Sequence, residues 1–190
     1  QSQNRPHQAK GVNYELLLEM IDAQPKSLIG HKNRALLSLG YYFLARRSEV
    51  AVLKFDYLEF FPDRPLYGMI SKSKADQMGN GQLTFGSRHS AGLLKIWLEK
   101  NPNPFTAYFP RSAIENVLIA TYTIEAHLDC EICGEAVIKS WPVTVQYPGH
   151  SLRIGAAQDS LIKGYDTLVI MKAGGWSLDS VNGYLRFCKS

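Results

Sequence analysis

The most constraining feature of this sequence is a histidine and an arginine close together, followed downstream by a Gly-Gly-Trp segment and a single tyrosine. His150 and Arg153 stand three residues apart, and Tyr184 lies eight residues after Trp176. On a helix, residues three apart share one face about one turn apart. An imidazole transfers protons near neutral pH, a guanidinium grips two phosphate oxygens, and a tyrosine can supply a phenolate nucleophile. Together these groups suit phosphoryl transfer to a protein side chain.

His-x-x-Arg taken alone is weak, because many helices begin with an exposed histidine and arginine and many cores contain Trp and Tyr. The fixed order of the downstream segments favours a functional interpretation. Residues 149–157 resemble the His-x-x-Arg box of the tyrosine recombinase (phage integrase) family. Residues 173–176 and 184–186 are most similar to the Cre recombinase branch, where tryptophan replaces the histidine of many relatives. Tyr184 lies one residue closer to Trp176 than is usual, which we interpret as a shorter turn between them.

The Arg-x-Ser-Glu box of the same family is matched by residues 46–49. The resemblance assigns Arg46 as the first catalytic arginine and Glu49 as its acidic neighbour. Because they are three residues apart, the carboxylate could brace the guanidinium. Charge runs of this kind are by default solvated surface. Arg47 is interpreted as such a surface charge or as a DNA backbone contact.

Residues 73–77 resemble the family segment Ser-Lys-Thr-Asp-Gln, which carries a catalytic lysine on a β-hairpin. The alignment assigns Lys74 as this lysine and leaves Lys72 as a DNA contact. The alternative is a basic hairpin tip that touches nothing or only phosphates.

The resemblance covers about residues 10–187 and implies the catalytic domain of a site-specific DNA recombinase or integrase. Such a domain cleaves and rejoins DNA through a 3′-phosphotyrosine intermediate. The resemblance implies that Tyr184 is the nucleophile and that Arg46 and Arg153 neutralise the charge of the transition state. It assigns Lys74 as the general acid and His150 as the acceptor of the tyrosine proton. Trp176 would donate a hydrogen bond to a phosphate oxygen. The covalent bond conserves the energy of the phosphodiester, so neither a metal nor another cofactor is expected. The sequence also has no Walker-type loop.

Two alternatives remain open at the level of sequence. The first is a topoisomerase-like or telomere-resolving relative with the same chemistry. The second is a DNA-binding homologue that has lost catalysis.

Composition sets the remaining expectations. The 190 residues suffice for one domain, and a net charge of +4 permits a nucleic-acid partner without requiring one. Residues 1–10 are predicted to be a linker or tail and residues 11–190 the catalytic domain. The family's N-terminal core-binding domain is expected to be absent, because the resemblance covers only the catalytic part.

The partner implied by the resemblance is double-stranded DNA. Tetramers on DNA are expected of the full-length protein, and a monomer is expected of this chain in isolation. No apolar run approaches the length of a membrane span, and no signal peptide is visible. Three cysteines favour a reducing compartment. The resemblance implies a bacterial or phage-encoded protein of the cytoplasm, associated with the nucleoid.

Cys130 and Cys133, with His127 before them, form half of a zinc-binding pattern. Structural zinc takes four ligands at related spacings. Because a second pair is missing, these residues are predicted to be ordinary thiols rather than a metal site.

The predicted fold is mainly α-helical with a small antiparallel β-sheet, the catalytic-domain fold of the family. Residues 129–147 are predicted to be an irregular connection. Periodicity and turn residues predict strands over 66–71 and 82–85, and helices over 12–23, 31–44, 90–100, 112–127, 150–163, 168–172 and 177–187.

Overall fold

A computed structural model of the chain describes residues 10–51, 53–62, 65–70, 81–101, 119–129, 136–148 and 150–177. The predicted linker (1–10) and the predicted helix at 177–187 therefore lie almost entirely outside the described residues. The described elements, in chain order, are α1 Tyr14–Asp22, α2 Leu28–Tyr42, α3 Arg47–Ala51, a 3₁₀ turn Phe55–Tyr57, β1 Leu58–Glu59, β2 Leu66–Ile70, β3 Gln82–Gly86, α4 Arg88–Lys100, β4 Ile119–Asp129, β5 Ala136–Gln146, α5 Ser151–Ile162 and α6 Thr167–Gly174.

Helix α2 is the centre of the core. Ser27 caps its start by accepting a hydrogen bond from Gly30 N, 3.2 Å away. The helix packs against α1, α4 and α5, and a buried hydrogen bond joins the hydroxyls of Ser38 and Ser90, 2.7 Å apart, between α2 and α4. The prediction that this dense apolar helix is buried is confirmed, although it begins at Leu28, three residues before the predicted start. Its fully buried aliphatic residues are Ala35, Leu36, Leu37 and Leu39.

The predicted hairpin strands are confirmed. Strands β1, β2 and β3 form an antiparallel sheet in that order, with Leu66 opposite Gly86 and Ile70 opposite Gln82. Glycine at 68 and 86 lets the sheet approach the ring of Phe43, because a Cβ at Gly68 would lie 2.7 Å from that ring. The sheet thus packs against the end of α2, close to the Arg46 box.

The prediction of a helix over 112–127 and an irregular segment over 129–147 was wrong for the part that the structure describes. Strands β4 and β5 pair antiparallel along their whole length, from Ile119 opposite Gln146 to Asp129 opposite Ala136. Both segments are rich in β-branched residues, which favour extended backbone over helix. Pro142 is compatible with β5 because each strand of a two-stranded ribbon is an edge.

Residues 11–14 lie along one side of α5, the helix that carries the His-x-x-Arg box. Val12 N donates to Ser151 O at 2.9 Å, and Tyr14 N donates to Asp159 Oδ2 at 2.7 Å. Between these two contacts, the backbone of Val12 passes so close to Gly155 that a Cβ there would lie 1.8 Å from Val12 O. Residues four apart share a helix face, so three successive turns of α5 contact this segment.

Asp159 also accepts a hydrogen bond from the phenol of Tyr41, on α2. Burial and this hydrogen bond raise the pKa of Tyr41 well above its ordinary value. Tyr41 is therefore held as a neutral donor that joins α2 to α5.

Among the described residues, no helix combines the length and apolarity that crossing a membrane requires.

Replacing Gly155 with alanine should destabilise the chain, because the new Cβ meets backbone that cannot rotate away. A decrease of about 1–3 kcal/mol or more in the free energy of unfolding is expected for such overpacking. Gly92→Ala in α4 is the matched control, since a Cβ there has nothing within 4 Å. That substitution should stabilise by about 0.5–1 kcal/mol. Urea unfolding measures both, and midpoints that move in the same direction would contradict the described packing.

Candidate active site

Arg46 stands immediately before α3 and is held there by Glu49. Glu49 Oε2 accepts from Arg46 N at 2.6 Å, as the third helical residue does in a capping box. Glu49 Oε1 accepts from the Arg46 guanidinium, also at 2.6 Å. One buried carboxylate thus fixes both the backbone and the side chain of Arg46, whose side chain remains 23% exposed. The predicted bracing of Arg46 by Glu49 is confirmed as a contact.

Leu44 shapes the approach to this box. Its φ of 49° is left-handed, which is unfavourable for leucine by about 1–2 kcal/mol. Leu44 packs against both apolar clusters of the described core. Those contacts compensate for the strain, and the left-handed residue ends α2 and turns the chain toward Arg46.

Arg153 lies in the first turn of α5 and is buried, with only 3% of its side chain exposed. Its Nη1 is 3.8 Å from Glu49 Oε2. The same carboxylate therefore faces both arginines, which stand 107 residues apart in the chain. Two guanidiniums and one carboxylate leave a net positive charge at this position.

The C-terminal end of α6 binds both arginines through backbone carbonyls. Arg46 Nη2 donates to Gly175 O at 3.1 Å, and Arg153 Nη2 donates to Gly174 O. The last carbonyls of a helix have no partner within the helix, and they form the negative end of its dipole. The C-terminal end of α6 is therefore a favourable binding position for cations.

Gly174 and Gly175 allow the end of α6 to adopt this arrangement. Gly175 ends α6 with a φ of 60°, a left-handed conformation that glycine adopts without strain. A Cβ at Gly174 would lie 2.4 Å from the Trp176 ring. Glycine at 174 therefore lets the tryptophan fold back against the helix end.

Trp176 covers Arg153. The guanidinium carbon of Arg153 lies 4.2 Å from the centre of the indole ring, the geometry of a cation–π contact. Trp176 also packs with Ala157 and Ile170 in a small apolar cluster. The sequence alone did not predict that this tryptophan covers the second arginine.

The structure brings together four of the predicted site residues, Arg46, Glu49, Arg153 and Trp176. His150 is exposed and precedes α5, so it stands at the start of the helix that carries Arg153. Three further predicted residues, Lys72, Lys74 and Tyr184, lie outside the described residues, as does the side chain of Arg47.

Cys130 and Cys133 also lie outside the described residues. Within the part of the chain that the structure describes, no three His, Cys, Asp or Glu side chains group as metal ligands would.

One contact at this site involves a residue that the sequence did not single out. Gln82, the first residue of β3, donates from Nε2 to Ala173 O at the end of α6. A glutamine at the start of a strand carries no local signal of such a role.

The fold is shared with site-specific recombinases of known structure. The structure of XerH bound to its difH substrate before cleavage superposes with a TM-score of 0.63 at 16% identity, over 92% of this chain and 50% of that one. XerA recombinase superposes with the same TM-score of 0.63 at 16% identity, over 97% of this chain and 61% of that one. These similarities define the class of fold, that of the tyrosine recombinase catalytic domain, and the predicted fold class is confirmed.

In sequence, the chain is similar to an integrase/recombinase described as a xerD homolog from Selenomonas ruminantium. The two are 27% identical over 168 residues, which cover 83% of this chain and 47% of that protein. The chain thus spans about half the length of this relative. No protein-family model matches the chain.

Replacing Glu49 with alanine should leave Arg153 buried beside Arg46 without their shared carboxylate. Breaking a buried ion pair from one side typically costs about 3–5 kcal/mol. We expect a loss of that order in the free energy of unfolding, measured by urea denaturation. The matched control is Glu19→Ala on the exposed face of α1, which should change stability by less than about 0.5 kcal/mol. Equal effects at the two positions would show that Glu49 does not hold the arginines.

Proposed function

We propose that this chain is the catalytic domain of a site-specific DNA recombinase that cleaves and rejoins strands through Tyr184. The observation that carries the proposal is the arginine pair, held by Glu49 and by two carbonyls at the end of α6. A phosphodiester passing through a five-coordinate transition state gathers negative charge on its non-bridging oxygens. Cationic donors fixed before the reaction stabilise that charge without having to reorganise.

The proposed reaction is a transesterification. The Tyr184 phenolate oxygen forms a bond to phosphorus, and the bond from phosphorus to the 5′ oxygen breaks. His150 accepts or buffers the tyrosine proton, and Lys74 donates a proton to the departing 5′ oxygen. The product is a 3′-phosphotyrosine and a free 5′-hydroxyl. Attack by the 5′-hydroxyl of a second strand reverses these steps and joins the new pair of ends.

Arg46 and Arg153 have different positions in this scheme. Arg46 is the more exposed of the two and can meet a phosphate arriving from solvent, while Glu49 keeps its guanidinium oriented. Arg153 is buried beneath Trp176. We propose that Trp176 shields this guanidinium from water, which strengthens its attraction for the developing charge, and also donates its indole N–H to a phosphate oxygen.

We further propose double-stranded DNA as the partner, with Lys72 and Arg47 as backbone contacts. A tetramer on DNA is proposed for the full-length protein, and a monomer for this chain in isolation. The Ala-Gly-Gly-Trp and Tyr-Leu-Arg segments support a place near the Cre branch. No described contact favours the topoisomerase-like alternative or the inactive one.

Tyr184→Phe should abolish covalent attachment to DNA and leave duplex binding within a few fold, since only the hydroxyl is removed. A library of nicked duplexes with a randomised region supplies the substrate. Covalent adducts are recovered under denaturing conditions and sequenced, and the enriched duplex serves as the defined substrate in later assays. Peptide mapping of the adduct then identifies the modified residue.

The control is Tyr165→Phe, because Tyr165 is 58% exposed at the turn between α5 and α6. This variant should form adducts at the rate of the unmutated chain. A phosphotyrosine at any position other than 184 would refute the assignment, and the absence of any adduct with the unmutated chain would refute the proposed function.

A further inference from the structure

The C-terminal end of α6 receives donors from three different parts of the fold. Ala173 O accepts from Gln82 on β3, Gly174 O from Arg153 on α5, and Gly175 O from Arg46 before α3. The two preceding carbonyls are satisfied locally, Met171 O by Trp176 N at 3.0 Å and Lys172 O by Gly175 N at 3.3 Å. Every carbonyl from 171 to 175 thus has a defined donor. Of the three side chains that donate to carbonyls 173–175, Gln82 is neutral and the other two are arginines.

The three outer carbonyls lie on consecutive residues at the end of one helix. Gln82 holds the first of them, so its hydrogen bond fixes the point from which Gly174 and Gly175 continue. Gln82 also lies against Gly175, since a Cβ at that glycine would be 3.1 Å from Gln82 Oε1. The glutamine amide therefore contacts the helix end on both sides of Gly174, whose carbonyl holds Arg153.

The sheet that carries Gln82 is anchored independently of α6. Gln82 pairs with Ile70, which is buried, and its strand β3 pairs with β2 along the whole length of both strands. Thr84 Oγ1 adds a buried hydrogen bond to Gly68 O at 2.9 Å. Gln82 thus connects a rigid sheet to the helix end on which both arginines rest.

We propose that Gln82 is a positioning residue for the Arg46–Arg153 pair: its amide fixes the carbonyl end of α6, and that end sets the two guanidiniums against the scissile phosphate. This inference rests on the function proposed above. It assigns Gln82 an effect on the charge-stabilising groups rather than on the group that protonates the 5′ oxygen.

The test uses Gln82→Met, which keeps the length of the side chain and removes the donor, and Gln82→Glu, which keeps its shape and also cannot donate when ionised. Leu83→Met is the matched control, because Leu83 is the next residue of β3 and is 56% exposed. Rates of covalent adduct formation are measured at saturating protein on the enriched duplex, together with duplex affinity.

The same duplex is also made with a methylphosphonate at the scissile position, and separately with a 5′-bridging sulfur. The methyl group removes the ionised oxygen, so correctly placed guanidiniums matter less for that substrate. Sulfur is a leaving group that does not need a general acid, because a thiol has a pKa of about 8.5.

Both Gln82 variants should cleave the ordinary duplex about 10- to 100-fold more slowly than the unmutated chain, the effect of misplacing a stabilising group by about an ångström. Duplex affinity should stay within about twofold, since the loss is confined to the transition state. On the methylphosphonate, the deficit relative to the unmutated chain should shrink to about threefold or less. The 5′-thio substrate should leave the deficit unchanged, and Leu83→Met should match the unmutated chain on all three substrates.

The inference is overturned if the Gln82 variants cleave as fast as Leu83→Met, if their deficit persists on the methylphosphonate, or if sulfur removes it. If the 5′-bridging sulfur removes the rate deficit, Gln82 acts instead on the hairpin lysine that protonates the 5′ oxygen. These outcomes are distinct from failure of the proposed function, in which the unmutated chain itself forms no adduct.

Discussion

The structure around the candidate site depends on one electrostatic arrangement, in which two guanidiniums are held by the carbonyl end of α6 and share a buried carboxylate. Charges removed from water are tolerated only when paired and hydrogen-bonded. Arg153 meets that requirement through Glu49, Gly174 O and the face of Trp176. Arg46 meets it through Glu49 and Gly175 O. Because the partners come from α3, α5 and α6, the site exists only when these helices are correctly placed.

The rest of the core supplies that placement. Helix α2 packs against α1, α4 and α5. On α5, Ser151, Gly155 and Asp159 contact the segment that leads into α1. At about 100° per residue, these positions lie on the opposite side of the helix from Arg153. One side of α5 is thus fixed to the core while the other presents the arginine, so substitutions distant from the site can still change its geometry.

Much of the fold could be predicted because it is encoded locally. The helix predicted over 12–23 is present as α1, the apolar helix α2 is buried, and the two predicted hairpin strands pair, as periodicity and turn residues indicated. The helix predicted over 112–127 is wrong from residue 119 on, where the structure describes a strand, because β-branched residues such as Thr121, Thr123 and Ile124 favour extended backbone. At the site, the resemblance to the family's sequence motifs selected Arg46, Glu49, Arg153 and Trp176, and the structure brings these four residues together. The binding of the arginines by the carbonyls of Gly174 and Gly175 could not be predicted, because backbone acceptors leave no signature in the residue types. The role of Gln82 could not be predicted either, because its partner lies 91 positions away in the chain.

The most direct test of this account is a crystal structure of the chain covalently joined to its enriched DNA duplex. We expect the guanidiniums of Arg46 and Arg153 both to bind non-bridging oxygens of the phosphate attached to Tyr184, at about 2.7–2.9 Å. Both arginines should also keep their contacts with Gly175 O and Gly174 O. A phosphate bound away from the arginine pair, or guanidiniums that leave the end of α6 in order to reach it, would contradict the claim that the fold sets this site before DNA arrives.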